Sequence, residues 1–225
     1  MGIINAVNLV DGIDGLAGGI GLLVSLVYGF WFIHAGDIIY ALLSFSLAGS
    51  LIAFLLYNVF GNTNKIFMGD TGSLILGTIV AILTIRFNVF QPTISGVAHG
   101  LPALSLAVII VPVIDTIRVF AIRISQKRSP FSPDMNHIHH NLLQLSGSHL
   151  ATTIIILCVN ASIVFCSFLL IEELGNNTLF FLILLTGFLL ASIPSYLLKW
   201  VGNTSEVKSS KSIIGLSMFL KKFKD

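Results

Sequence analysis

Asn5-Ala-Val-Asn8-Leu-Val-Asp11-Gly-Ile-Asp14-Gly-Leu-Ala-Gly-Gly19 is the stretch whose reading decides the fold. Its polar side chains Asn5, Asn8, Asp11 and Asp14 follow each other at steps of three, and an apolar run follows at once. Residues three apart share a helix face. The spacing therefore predicts a helix that carries two amides and two carboxylates as one polar stripe at the mouth of a membrane span. A helix start alone asks for one capping Asn or Asp, not four in phase. Ionisable side chains at a span usually mark a functional site.

Composition supports a span beside it. The chain has 225 residues, 55% hydrophobic and 10% charged, with a mean hydropathy of +0.96. A soluble domain carries about 25% charged residues. The class expected is thus an all-α polytopic membrane protein. A net charge of +2 is too small to point to nucleic acid. Cys158 and Cys166 lie in one apolar run and read as small packing residues, not as a disulfide or metal site. No apolar core follows a basic start, so no cleavable leader is expected.

A span needs roughly 20 apolar residues. Six segments qualify: 16–33, 38–57, 74–90, 101–122, 150–171 and 178–200. His34-Ala-Gly-Asp37 and Glu172-Glu-Leu-Gly-Asn-Asn177 are the tight turns, and 123–149 is the one long hydrophilic loop. Residues 1–200 form the membrane domain and 201–225 a basic tail, whose 208–225 suggest a short interfacial helix. Six spans put both termini on one side. Of the 12 Lys and Arg, only Arg86 falls on the other side, so the positive-inside rule assigns the termini to the cytoplasm. The polar clusters 5–14, 58–73 and 115–140 then share the cytoplasmic face.

Phe67-Met-Gly69-Asp70-Thr-Gly72-Ser73 opens the third span. Gly69 and Gly72 allow close backbone approach, Asp70 suits Mg2+, and Phe67 could stack on a base. An ordinary helix cap with an interfacial Phe explains the same residues. A Walker lysine is absent, so a P-loop is not supported. Pro112-Val-Ile-Asp115-Thr-Ile-Arg118 places a carboxylate and a guanidinium at i and i+3, either as a structural ion pair or facing substrate. Arg123, Lys127 and Arg128 anchor to anionic lipid, with some of them binding phosphate as well. His137, His139 and His140 do not match a zinc motif. Beside basic residues they read as donors to pyrophosphate oxygens. His34, His99 and His149 read as isolated interfacial residues, and Asn58 and Asn62 are ambiguous.

These motifs, in this order over residues 5 to about 145, resemble the polyprenyl-phosphate N-acetylhexosamine-1-phosphate transferases, of the glycosyltransferase family 4 type. Residues 5–17 look like that family's central motif. Phe67–Ser73 matches a second motif, and 112–119 with 129–140 resemble the GlcNAc-1-phosphate branch. The resemblance implies transfer of HexNAc-1-phosphate from UDP-HexNAc to undecaprenyl phosphate, with release of UMP and Mg2+ (or Mn2+) as cofactor, at the cytoplasmic face of the bacterial inner membrane. It makes Asp70 the metal ligand, with Asp11 beside it. It places Asn5, Asn8, Asp11 and Asp14 in the cleft, and Gly12, Ile13, Asp14 and Phe67 near the uracil. Asn58, Gly69, Asp115, Arg118, Arg123 and Arg128 are its substrate-binding candidates, and His137, His139 and His140 take the sugar-phosphate side. A homodimer is left open.

One departure is plain. Members of that family carry spans ahead of the central motif, with an adjacent Asp-Asp pair that activates the lipid phosphate. This chain begins at the central motif and has no adjacent Asp-Asp. The alternative expectation is therefore a truncated, catalytically incomplete copy or a fragment. A transporter is the third reading. It would place polar residues along the depth of several spans.

Overall fold

Backbone in lipid must satisfy its own hydrogen bonds, so apolar runs of this length become helices. The computed structural model describes residues 1–91, 102–129 and 137–221, with side chains as far as Trp200. It gives α1 (Gly2–Val10), α2 (Leu16–Ala35), α3 (Ile38–Phe60), α4 (Gly69–Val89), α5 (Pro102–Val108), α6 (Ile110–Ser125), α7 (Ile138–Ser146) and α8 (His149–Lys221). No strand occurs among the described residues. The protein is an all-α polytopic membrane protein.

The expected segments are all present, and two of them change shape. Helices α2, α3, α4 and α8 are long and apolar enough to cross a membrane. The fourth expected span, 101–122, is not one straight helix: α5 and α6 meet at an 82° bend. Residues 149–200 of α8 would measure about 78 Å as one rod, far beyond the roughly 30 Å of a bilayer core. The helix breaks at Gly175 (φ 69°, ψ 167°), inside the expected turn. Its two halves fold back on each other, since Val159 and Ile163 line the same cavity as Leu190. Helical backbone continues through the tail to Lys221.

Packing follows the same logic. Tyr28 and Trp31 of α2 pack against Phe87 of α4, with the Trp31 and Phe87 rings edge to face 4.5 Å apart, and Phe32 packs against both Tyr28 and Trp31. The Asp37 side chain accepts from the Tyr40 N–H and caps α3. It also meets Arg86 at 2.7 Å, tying α3 to α4. Large side chains of α3 and α8, such as Ile39, Phe60, Phe165 and Phe181, are exposed as lipid-facing residues are. Cys158 and Cys166 are exposed as well, which corrects their reading as small packing residues, and both are free thiols. Residues 92–101, with His99, and residues 130–136, with Asp134, lie outside the described residues.

Candidate active site

Helix α1 does not run on into the first span. It ends at Val10, and Asp11–Gly15 is a turn closed by the Asp11 N–H on Asn8 O (3.2 Å) and the Gly12 N–H on Val10 O (2.7 Å). The expected four-residue stripe is therefore split. Asn5 and Asn8 stay on α1, while Asp11 and Asp14 sit in the turn and face different neighbours. The physical reason is local: Asp-Gly-Ile-Asp-Gly is turn chemistry, and Gly15 is left-handed (φ 79°). A β-carbon at Gly15 would stand 2.9 Å from Val59 Cγ2, so space as well as φ demands glycine.

Each half of the turn is fixed separately. Asn58, buried in α3, accepts the Gly15 N–H (2.7 Å) and donates to Ile66 O (2.8 Å). Both ends of its amide are used by the fold, so Asn58 staples the turn to α3 and to the loop before α4. Asp14 Oδ2 lies 2.7 Å from Lys65 Nζ and 2.9 Å from His149 Nδ1. Thr153 Oγ1 donates to Asp14 O at 2.8 Å. His149 is thus not isolated; it joins the start of α8 to the turn. Lys65 and His149 are site residues that sequence reading missed.

Asn8 Nδ2 donates to Ser73 Oγ at 2.8 Å, and this brings α1 to the first turn of α4. Asp70 is exposed there, next to Gly69, whose φ is 65°. Phe67 is 74% exposed on the loop before it, with Lys65 Nζ 5.5 Å from its ring. Burial, and then the negative charge of Asp70, raises the Asp11 carboxyl above its ordinary range. The two carboxylates therefore stand close enough to repel one another.

The third cluster is organised by a carboxylate rather than by a ligand. Asp115 is buried and accepts from His137 Nδ1 (2.9 Å) and from the Ile138 N–H (2.9 Å), with Arg118 Nη2 3.6 Å away. Arg118 is buried too and donates to Ser195 Oγ (3.1 Å), which also takes Asn141 Nδ2 (2.9 Å). Asp115 and Arg118 thus hold the start of α7 and the second half of α8, the structural ion pair that was one of the two readings of their spacing. Three of the histidines gather here: the His137 and His139 rings lie 5.5 Å apart, and those of His139 and His140 4.3 Å apart.

His139 is buried, and its Nε2 has no hydrogen-bond partner among the described residues. Burial, opposed only in part by Asp115, pushes its imidazole down to about 4. It is neutral at pH 7, and as a neutral imidazole it keeps one N–H to donate. Its Nε2 faces Gly12 so closely that a β-carbon there would collide with the ring. Gly12 is thus a contact between the first and third clusters. Ile13 is buried beneath the turn, Arg123 is buried at the end of α6, and Arg128 is exposed beyond it. Three stretches distant in sequence therefore meet at one end of the bundle, opposite the Asp37–Arg86 pair.

The donor chemistry suits a hard cation. Asp11 and Asp70 offer carboxylate oxygens from two elements, and Mg2+ takes one or two carboxylates with waters and substrate phosphates. Among the described residues, no group of three or more His, Cys, Asp or Glu gathers as a zinc site would. Asp14, engaged by Lys65 and His149, is not part of that pair.

Comparison with known proteins agrees with this layout. The family model described as Glycosyl transferase family 4 matches residues 1–88, which hold the turn, the Asn8–Ser73 contact and Asp70. A decaprenyl-phosphate N-acetylglucosaminephosphotransferase of Mycolicibacterium smegmatis is 38% identical over 168 residues, covering 68% of this chain and 41% of the relative. The chain belongs to glycosyl transferase family 4. Undecaprenyl-phosphate alpha-N-acetylglucosaminyl 1-phosphate transferases of Yersinia pestis and Escherichia coli are 37% and 34% identical to this family 4 chain. Each match covers 63% of the chain and 38% of the relative. The chain spans about two fifths of the length of these relatives. A second family model, Sugar (and other) transporter, matches residues 138–224, which hold α7 and α8. No solved structure matches.

Proposed function

We propose that the protein transfers an N-acetylhexosamine 1-phosphate, GlcNAc-1-phosphate by preference, from its UDP-sugar to a polyprenyl phosphate. An acceptor phosphate oxygen attacks the phosphorus that bears the sugar. An O–P bond forms there, the pyrophosphate P–O bond breaks, and UMP leaves with the electron pair. The observation that carries this reading is the meeting of the Asp11–Asp70 pair with the histidine cluster through Gly12 and His139, at one end of a membrane bundle. The named activities of the relatives support it. The bias of basic residues supports a bacterial inner-membrane protein with this end facing the cytoplasm.

Each residue has a task in this reading. Asn8, by donating to Ser73, ties the helix that ends just before Asp11 to the first turn of α4, which carries Asp70. Those carboxylates would hold Mg2+, which would offset the charge that develops on the phosphates. Phe67 offers a ring to the nucleobase, and Arg123 and Arg128 offer positive charge to phosphates. His137 donates Nδ1–H to Asp115, since a carboxylate can only accept.

The test is a transfer assay with polyprenyl phosphate, Mg2+ and labelled UDP-GlcNAc, counting label extracted into organic solvent. Asp70→Ala should lose roughly a hundredfold or more, as loss of a preorganised charge does. Equal label from wild type and Asp70→Ala would overturn the reading.

A second reading, a sugar transporter, is favoured by the match over 138–224. A transporter needs polar groups lining a path. Ser162, Ser167, Thr186 and Ser192 of α8 instead donate to carbonyls of their own helix, at 2.7–2.9 Å. Uptake of labelled sugar into liposomes bearing the protein, without lipid-linked product, would reinstate it.

A further inference from the structure

The bend between α5 and α6 has an identifiable cause, and α8 supplies its remedy. Pro112 is the third residue of α6 and has no N–H. In a continuous helix that N–H would reach Val108 O, four residues earlier. The chain turns by 82° at this point. Ile109 between the two helices adopts φ −107°, ψ 16°, and its N–H falls back on Leu106 O and Ser105 O. Val108 O is left without its helical donor in a stretch at membrane depth, where water cannot replace it.

Asn160, 0% exposed on α8, donates Nδ2–H to that carbonyl at 3.2 Å. The amide orientation follows from this contact, since the flipped form would set two oxygens together. Its Oδ1 has no partner among the described residues. A buried amide with an empty acceptor is a poor packing residue compared with leucine, so its presence is explained by the donor. The other end of α5 is held from the same helix: Asn176 Oδ1 accepts the Ala103 N–H at 3.0 Å. Two asparagines of α8 thus grip both ends of a seven-residue half-helix.

We infer that Asn160 is a positioning residue. By replacing the donor that Pro112 withholds, it sets the elbow angle and so places α6, with Asp115, Arg118 and Arg123, at the active end. Its kinetic consequence rests on the proposed transferase reading; its geometric consequence does not. Helix α6 is a lever of roughly 24 Å, so a change of about 20° at the elbow moves its far end by about 8 Å.

The experiment combines both readouts. Spin labels at Ser50→Cys on α3 and Ser125→Cys at the end of α6, with Cys158 and Cys166 replaced by Ala, report the placement of α6 in liposomes. Asn160→Leu should shift or broaden that distance and lower kcat for lipid-linked product at least tenfold. KM for the nucleotide sugar should rise far less. Pro112→Ala with Asn160→Leu returns a backbone donor to Val108 O. It should recover monodisperse, heat-stable protein without recovering the wild-type distance or kcat, which a merely structural role would restore. Wild-type distance in Asn160→Leu would overturn the inference. So would a double variant no better folded than Asn160→Leu alone. A normal distance shift in protein that makes no lipid-linked product, wild type included, would count against the reaction and leave the elbow standing.

Discussion

His139 and Gly12 carry the most specific statement at the scale of the residue. A neutral imidazole lies against the α-carbon of Gly12 with no room for a methyl group. Gly12→Ala must push the ring aside, a kind of overpacking that costs about 1–3 kcal/mol. Binding of UDP-GlcNAc with Mg2+, followed by calorimetry, should weaken by roughly tenfold or more, since this much free energy corresponds to that factor. Unchanged affinity would separate the two clusters. The imidazole also makes a pH prediction. In the folded protein it titrates at about 4, against 6.5 when unfolded. Between those values the unfolded chain takes up a proton that the folded chain refuses. Stability is therefore full above 6.5 and falls as pH drops towards 4, by roughly 3 kcal/mol at most. Thermal unfolding of wild type and His139→Gln at pH 7 and pH 5 should show a smaller acid loss in the variant. Equal losses would contradict the burial argument.

Among elements, α7 is held at its start by one buried side chain, and along its length by α8, through Asn141 on Ser195. Asp115 accepts from both His137 and the Ile138 N–H at the start of α7. Asp115→Ala leaves Arg118 buried beside a lost carboxylate, which costs about 3–5 kcal/mol. Limited proteolysis should then cut between α6 and α7 at least tenfold faster than in wild type, as released segments do. Lys65→Ala breaks a half-exposed pair with Asp14 and should change stability by less than about 1 kcal/mol. Equal cutting of wild type and Asp115→Ala would show that α7 is held otherwise. The helices themselves were legible because lipid demands long apolar runs. The elbow was not: Pro112 was visible, but its effect depends on Asn160, which hydropathy shows only as a polar residue within a span. Asp115 was legible as a charge near Arg118, and its burial was not, because α7 is placed by contacts and not by spacing.

Across the whole molecule, the sorting of polar clusters to one end was readable from the parity of the spans and the bias of the basic residues. Which side chains meet there was not. Asp14 and His149 are 135 positions apart, and nothing around His149 in sequence distinguishes it from an interfacial histidine. The in-phase pattern of Asn5, Asn8, Asp11 and Asp14 implied one ligand face. The turn at Asp11–Gly15 divides that face, giving Asp11 to Asp70 and Asp14 to Lys65 and His149. That division is the central claim, and Mn2+ electron paramagnetic resonance tests it most directly. Titration with Mn2+ in the presence of UDP-GlcNAc should show one bound ion per chain in wild type. Asp11→Asn and Asp70→Asn should each weaken that ion by roughly tenfold to a hundredfold, as loss of a hard oxygen ligand does. Asp14→Asn should leave it within about threefold, since that carboxylate serves a separate ion pair. Mn2+ lost equally in Asp14→Asn, or retained in Asp70→Asn, would contradict the account.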